Sequence, residues 1–199
     1  MGLEKTRARG AHPPGTKERI DRGAYELFSR HGVRNVGVDT VSAHCGVAKM
    51  TLYKHYPSKD ELALAFLRRR EQVWTHSWLQ QEVERKASTP AGRLLAAFDA
   101  FDQWFRRPDF EGCSFVNVML EHKGEAHPVG RAAKAHIAKI RAFLRQLAGD
   151  AGVRDPDAFA RQWQIVMMGT IVAACAGDKG AARRGKEMGS LLLAREGIA

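Results

Sequence analysis

Apolar residues recur at helical spacing along most of this 199-residue chain, and no segment alternates as a β-strand would. The first periodic set is Ile20, Ala24, Leu27 and Phe28. Thr16 stands where a helix cap is expected, and Gly32 follows the last periodic residue as a helix stop. Gly or Pro interrupts the pattern repeatedly, so the sequence predicts an all-α fold of about nine helices.

The first three predicted helices are short. The second covers about 38–45 and buries Val38, Val41 and Cys45, and Gly46 then permits a tight turn into a third helix. Pro57 stops that third helix. Three short helices with a Gly turn between the last two describe a helix-turn-helix.

The rest of the chain reads as a larger helical body. Ser58 and Glu61 form a capping box for a fourth helix that runs to about Lys86. Later helices are predicted from Pro90, from Ser114 to about Lys123, from Pro128 to Ala148, from Pro156 to about Ala176, and from about Ala181 to Arg195. The apolar run 165–177 has 13 residues, whereas a membrane span needs roughly 20, so it reads as a buried helix.

The charge is unevenly distributed. The net charge is +10 and the isoelectric point about 9.9, and residues 1–60, with 11 basic and 6 acidic residues, carry half of that excess. A basic excess favours nucleic acid as a partner. Cys45, Cys113 and Cys175 are too widely spaced for a disulfide framework or a zinc pattern and fit a reducing compartment. Without an apolar run near the N-terminus, a cytoplasmic protein is expected.

The third helix is rich in hydrogen-bond donors. Val47, Leu52 and Tyr56 can face inward, which leaves the others to face DNA: Lys49, Met50, Thr51, Tyr53, Lys54 and His55. Lys54 suits a guanine edge or a phosphate, the Thr51 methyl suits thymine, and Tyr53, His55 and Lys59 suit phosphate oxygens. A solvated basic helix is the alternative interpretation.

The stretches AYELFSRHGVRNVGVDTVSAHCGV and VAKMTLYKHYPSKDEL together resemble the DNA-binding domain of TetR-family transcriptional regulators. The resemblance implies a DNA-binding domain at 14–74, preceded by a basic arm at 1–13, and a body at 75–199 that binds an inducer and dimerises through its last two helices. Gly37 and Ala48 depart from the Thr or Ser and the Ser that are common there, and the Val38 amide can still contact a phosphate. Lys5, Arg7 and Arg9 either reach a minor groove or lie in a disordered tail.

Large apolar side chains in the body, beside a domain that resembles those of a ligand-sensing family, predict a ligand pocket with a few polar contacts, and an ordinary hydrophobic core is the alternative interpretation. Its candidate residues are Trp74, Trp78, Phe98, Phe101, Phe105, Phe115, Asn117, Met119, Glu121, Trp163 and Met167. Small residues four apart in the last two helices, together with the family resemblance, predict a close dimer seam, and packing within one subunit is the alternative. Its candidate residues are Met168, Gly169, Val172, Ala173, Gly185, Met188, Gly189 and Leu192.

Other chemistry is weakly supported. His and Glu residues in 121–127 are metal-ligand types, but the segment spans a helix end and a loop, and Cys113 reads as buried more readily than as a redox sensor. We therefore expect no enzyme, cofactor or metal. The interpretation is a homodimeric repressor released from a palindromic operator by an apolar inducer. An activator, an architectural DNA-binding protein and a ligand-independent one remain as alternatives.

Overall fold

The computed structural model describes residues 15–122, 124 and 126–198, apart from the side chains of residues 76 and 77, and these residues form nine helices and no strand. The all-α prediction is confirmed. The helices are α1 Thr16–His31, α2 Val38–Cys45, α3 Lys49–His55, α4 at 59–86, α5 Pro90–Phe105, α6 Ser114–Glu121, α7 Pro128–Asp150, α8 Pro156–Cys175 and α9 Ala181–Arg195. Helix α6 ends two residues before the predicted end, and Lys123 lies outside the described residues.

Side-chain caps fix where several helices begin. Ser58 accepts a hydrogen bond from the Glu61 amide at the start of α4, and Asp155 accepts one from the Ala158 amide at the start of α8, each at 3.1 Å. Thr16 was wrongly predicted as a cap: it is the first helical residue, and Gly15 precedes it without a side-chain hydrogen bond. Gly46, with φ of 60°, makes the left-handed turn between α2 and α3.

Helix α4 is continuous but changes its winding. Lys59–Arg70 and Gln80–Lys86 are α-helical, whereas Glu71–Leu79 between them is π-helical. The π form is rare and usually occurs at sites where function or packing requires it. The sequence did not predict this change.

Two hydrophobic clusters form the core. The N-terminal cluster joins α1–α4 through residues such as Ile20, Phe28, Leu52 and Phe66, and it also takes in Phe115, Val118, Val129 and Ala133 of α6 and α7. The second cluster joins the end of α4 to α5, α7, α8 and α9. Helices α6 and α7 therefore connect the N-terminal helices to the body by direct packing.

Two glycines let α9 approach α5 and α8 closely. A Cβ atom on Gly189 would lie 2.7 Å from Trp163 and 3.1 Å from Phe98, and one on Gly185 would collide with Thr170 and Phe98. Both glycines therefore pack within one subunit, and their prediction as dimer-seam residues is wrong. The periodicity identified a close approach of helices but could not identify the partner helix.

No helix of the described residues is long and apolar enough to cross a membrane.

Candidate nucleic-acid interface and ligand cavity

Helix α3 is held by one face and exposed on the other. Leu52 is fully buried and Tyr56 nearly so, as predicted, and the Tyr56 hydroxyl bonds to Asp21 and accepts a hydrogen bond from Lys17 at 2.8 Å. Burial and the bond to Asp21 raise the pKa of Tyr56, so its hydroxyl remains neutral. These contacts fix the direction in which the outer face of α3 points.

The predicted DNA-contacting side chains lie on that outer face. Met50 is 72% exposed, Tyr53 is 37% exposed, Lys54 and His55 are exposed, and Thr51 is half-buried. This placement brings donors and apolar groups together on one short helix, as a major-groove contact requires.

Two of the predicted lysines and Val38 have neighbours within the protein. Lys49 forms an exposed ion pair with Asp39 at 2.8 Å, and Lys59 donates to the Arg34 carbonyl at 3.2 Å. Val38 is the half-buried first residue of α2, beside the extended N-cap Gly37. Contact of either lysine with phosphate would require it to exchange or share its present partner.

Arg34 also connects these helices to the body. Its amide donates to the Glu121 carboxylate at 3.0 Å, while its carbonyl accepts from Lys59. Glu121 therefore holds the loop between α1 and α2 from the end of α6. Although the sequence predicted it as a ligand contact, Glu121 is not among the residues that line the apolar cavity of the body.

A narrow apolar cavity of about 50 Å³ lies in the body. Its lining comes from α4 to α8: Trp74, Phe101, Cys113, Phe115, Val116, His136, Ile137, Ile140, Gln164, Met167, Met168 and Ile171. No Asp, Glu, Lys or Arg is among them. Such a lining suits an uncharged, apolar occupant, because an ion transferred there would lose its hydration without a partner.

Only four of the predicted pocket residues line this cavity: Trp74, Phe101, Phe115 and Met167. Phe98 and Trp163 are buried against α9, and Trp78 and Phe105 pack around Trp104. Asn117 is exposed, and Met119 packs against the N-terminal cluster. Their assignment to the cavity is wrong because apolar periodicity identifies a buried face but not the space that the face encloses.

Sequence reasoning missed the polar end of the cavity. Gln164, in the apolar α8, donates to the Ile137 carbonyl at 2.8 Å, and His136 stacks on Phe115 with ring centroids 3.4 Å apart. A glutamine inside an otherwise apolar helix and a histidine on the apolar face of α7 were the available signals.

His136 connects the cavity to the π-helical part of α4. Its ring lies 3.2 Å from the Thr75 hydroxyl and 3.6 Å from the Glu71 carboxylate, which also accepts from Lys139 at 2.7 Å. Burial opposes ionisation of Glu71, but Lys139 and His136 together hold its pKa below the usual value. This polar group joins α4 to α7 directly beside Phe115.

The candidate metal and redox residues have ordinary surroundings. His122 and His127 have ring centroids 4.4 Å apart, but no cluster of three metal-ligating side chains occurs in the described residues. Glu125 lies outside those residues. Burial raises the pKa of the Cys113 thiol, so it is not an activated thiolate.

The outer faces of α8 and α9 expose large apolar side chains. Ile165 is 70%, Val172 61%, Leu191 64% and Met188 51% exposed. Gly169 is open on its outer side, and Met168, Ala173 and Leu192 are half-buried nearby in the chain. Ile165 and Leu191 were not predicted, and Gly185 and Gly189 face the opposite way.

Known proteins share both the local pattern and the whole fold. Residues 20–66 match the family model described as bacterial regulatory proteins, tetR family. The HTH-type transcriptional regulator YjdC of Escherichia coli K12 is 22% identical over 151 residues, which cover 74% of this chain and 77% of YjdC.

Solved structures extend the similarity over nine-tenths of the chain or more. SCO4454, a TetR-family transcriptional regulator from Streptomyces coelicolor, aligns with a TM-score of 0.83 and 26% identity over 90% of this chain and 95% of its own. A Streptomyces avermitilis protein assigned to the same regulators aligns with a TM-score of 0.84 and 31% identity, over 94% of this chain and 100% of its own. The chain therefore belongs to the TetR family, whose members are DNA-binding transcriptional regulators and not enzymes.

Proposed function

We propose that the protein is a cytoplasmic, homodimeric repressor that leaves a pseudo-palindromic operator when an uncharged apolar ligand enters the cavity. Residues 14–74 would bind DNA, with the arm 1–13 outside the described residues, and 75–199 would bind the ligand and dimerise. The observation that carries this proposal is the course of α4. It begins with Lys59 bonded to Arg34 beside α3, and its π-helical part places Trp74 at the cavity.

The exposed apolar side chains of α8 and α9 support a dimer. Val172, Met188 and Leu191 are each more than half exposed. Exposed apolar side chains that share a helix face, as Met188 and Leu191 do three residues apart, often mark a protein interface. A two-fold dimer would present two α3 helices, so the operator half-sites should lie about one helical turn, or a multiple of it, apart.

The composition of the cavity supports the ligand class. At about 50 Å³ it is much smaller than the ~300–1,000 Å³ of typical ligand pockets, so side chains must move to admit a ligand. Met167 and Met168 are unbranched and can move at modest cost. An uncharged aromatic compound fits the lining formed by Trp74, Phe101 and Phe115.

The contacts around the cavity support a route for release. A ligand that separates Phe115 from His136 would act on α6 and on the π-helical part of α4 together. Helix α6 ends at Glu121, which holds the Arg34 amide, and α4 begins at Lys59, which holds the Arg34 carbonyl. Movement of either helix would shift the α1–α2 loop, and release follows if the ligand prefers the shifted arrangement.

The experiment has two stages. Duplexes selected from a random library by the purified protein provide the operator. Uncharged aromatic compounds are then screened for changes in tryptophan fluorescence and for operator release. Ile140→Trp should fill the cavity and weaken binding of the hits by at least about tenfold, whereas Leu120→Trp, on the exposed part of α6, should not.

Two outcomes would contradict the proposal. Equal affinity of the hits for Ile140→Trp and for the unchanged protein would place the ligand elsewhere. Operator binding that no compound alters would favour a ligand-independent DNA-binding protein. A reporter gene behind the selected operator separates the two modes of control, because a repressor lowers transcription and an activator raises it.

A further inference from the structure

Met50 is the most exposed of the large hydrophobic residues in the described part of the chain, at 72%. It lies in the first turn of α3, and the described residues leave most of its side chain uncovered. A scattered exposed apolar residue needs no explanation on most surfaces. On the proposed recognition helix such a residue does need an explanation, because the exposed side chains around Met50 are mostly polar groups suited to phosphates.

The position of Met50 is set by the buried side of α3. Leu52 and Tyr56 hold that side against the core, and at 3.6 residues per turn Met50 and Lys54 lie roughly opposite them. These two side chains, four residues apart, therefore project furthest from the protein. Tyr53, which is half as exposed, lies toward one flank of the helix.

The chemistry of the thioether narrows what it can contact. Methionine has no hydrogen-bond donor, so it gains nothing from a phosphate oxygen and little from the base-edge acceptors. The major groove offers one apolar group on a base edge, the C5-methyl of thymine. A flexible side chain can adjust to the exact position of that methyl.

We propose that Met50 is a specificity-determining residue that recognises a thymine methyl at one position of each operator half-site. This inference rests on the proposed sequence-specific operator binding and adds the base that one residue reads. Lys54, beside it, would supply the hydrogen bond or charge at a neighbouring position. The Thr51 methyl, which the sequence alone suggested for this role, is half-buried and lies further around the helix.

The test removes the C5-methyl from the DNA and the thioether side chain beyond Cβ from Met50. Each thymine of the selected duplex is replaced in turn by uracil, which lacks only the C5-methyl, and the dissociation constant is measured by fluorescence anisotropy. The unchanged protein should bind about three- to fivefold more weakly when the recognised thymine is replaced. This loss of affinity is what burial of one methyl group contributes. Met50→Ala should bind the thymine and uracil duplexes equally at that position.

Matched variants separate the possible readers. Thr51→Ser removes the methyl of the competing side chain, and it should preserve the thymine preference at the position that Met50 reads. Leu120→Ala, which removes an exposed apolar side chain from α6, should preserve every preference. Circular dichroism confirms that each variant is folded.

The outcomes are distinct. The proposal is supported if Met50→Ala loses the thymine preference at one position of the half-site and neither Thr51→Ser nor Leu120→Ala loses it. If every thymine preference of the unchanged protein persists in Met50→Ala, or if the only preference that disappears does so in Thr51→Ser, the proposal is overturned while operator binding stands. A random library from which the unchanged protein enriches no sequence overturns sequence-specific binding and this inference together.

Discussion

Glu71 shows how one residue serves both packing and charge. Its carboxylate lies between Lys139 and His136, and the pair holds its pKa below the ordinary value of 4.5 although burial opposes ionisation. A carboxyl group whose pKa is lowered by folding stabilises the folded state at pH values above its ordinary pKa. This contribution disappears as the pH falls through the lowered pKa.

Lys139→Met should therefore reduce the free energy of unfolding by about 0.5–1 kcal/mol at pH 7. The difference from the unchanged protein should shrink toward zero as the pH falls below 4.5 and passes through the lowered pKa of Glu71. Urea denaturation as a function of pH measures it. Lys134→Met is the matched control, because Lys134 lies exposed on the same helix without an ion partner in the described residues. A difference that stays constant with pH would contradict this account of Glu71.

Alanine substitutions at Gly189 and Gly169 test which side of α9 and of α8 faces the core. A Cβ on Gly189 would press against Trp163 and Phe98, whereas one on Gly169 meets nothing within 4 Å. Both substitutions by alanine gain similar helix propensity. The free energy of unfolding of Gly189→Ala should therefore be lower than that of Gly169→Ala by about 1–3 kcal/mol. Equal stabilities, measured by denaturation at one protein concentration, would mean that Gly189 does not face the core.

At the scale of elements, the starts of helices were the most predictable features. Ser58 and Asp155 cap α4 and α8 because a cap depends on three or four neighbouring residues. The π-helical part of α4 was not predictable, since Thr75 and Glu71 meet α7 through His136, which lies 61 residues from Thr75. Phe98 and Phe101 illustrate the same limit: both are buried in α5, yet only Phe101 reaches the cavity.

Helix α3 carries the DNA-binding prediction. Tyr53→Ala and Lys54→Ala should each weaken operator binding by about 1–3 kcal/mol if they make direct contacts. If Lys54 contacts a phosphate, its substitution should also make the slope of log K against the logarithm of salt concentration shallower by about 1, because one fewer counterion is released on binding. Anisotropy titrations over a range of salt concentrations measure both effects.

Lys179→Ala controls for the loss of one positive charge, since Lys179 lies exposed between α8 and α9. Operator binding that is unchanged in the Tyr53→Ala, Lys54→Ala double variant would remove α3 as the reader. Equal losses in Lys179→Ala would instead indicate an effect of net charge alone.

At the scale of the whole molecule, the outer faces of α8 and α9 should form the dimer. Val172→Asp and Leu191→Lys would each place an unpaired charge in that interface and should weaken dimerisation at least about a hundredfold. Sedimentation should detect monomers of each variant at concentrations where the unchanged protein is dimeric. Leu120→Lys, at a similarly exposed residue of α6, should stay dimeric. Dimers that survive both interface changes would place the interface elsewhere.

Release of the operator by a ligand requires that the cavity and α3 be thermodynamically coupled. The most direct test measures the operator dissociation constant with and without saturating ligand from the screen, and the ligand dissociation constant with and without saturating operator. Both constants should rise by the same factor, in the range of about 5–150, because coupling between two binding sites is reciprocal. A ligand that binds in the cavity and leaves the operator dissociation constant unchanged would contradict it.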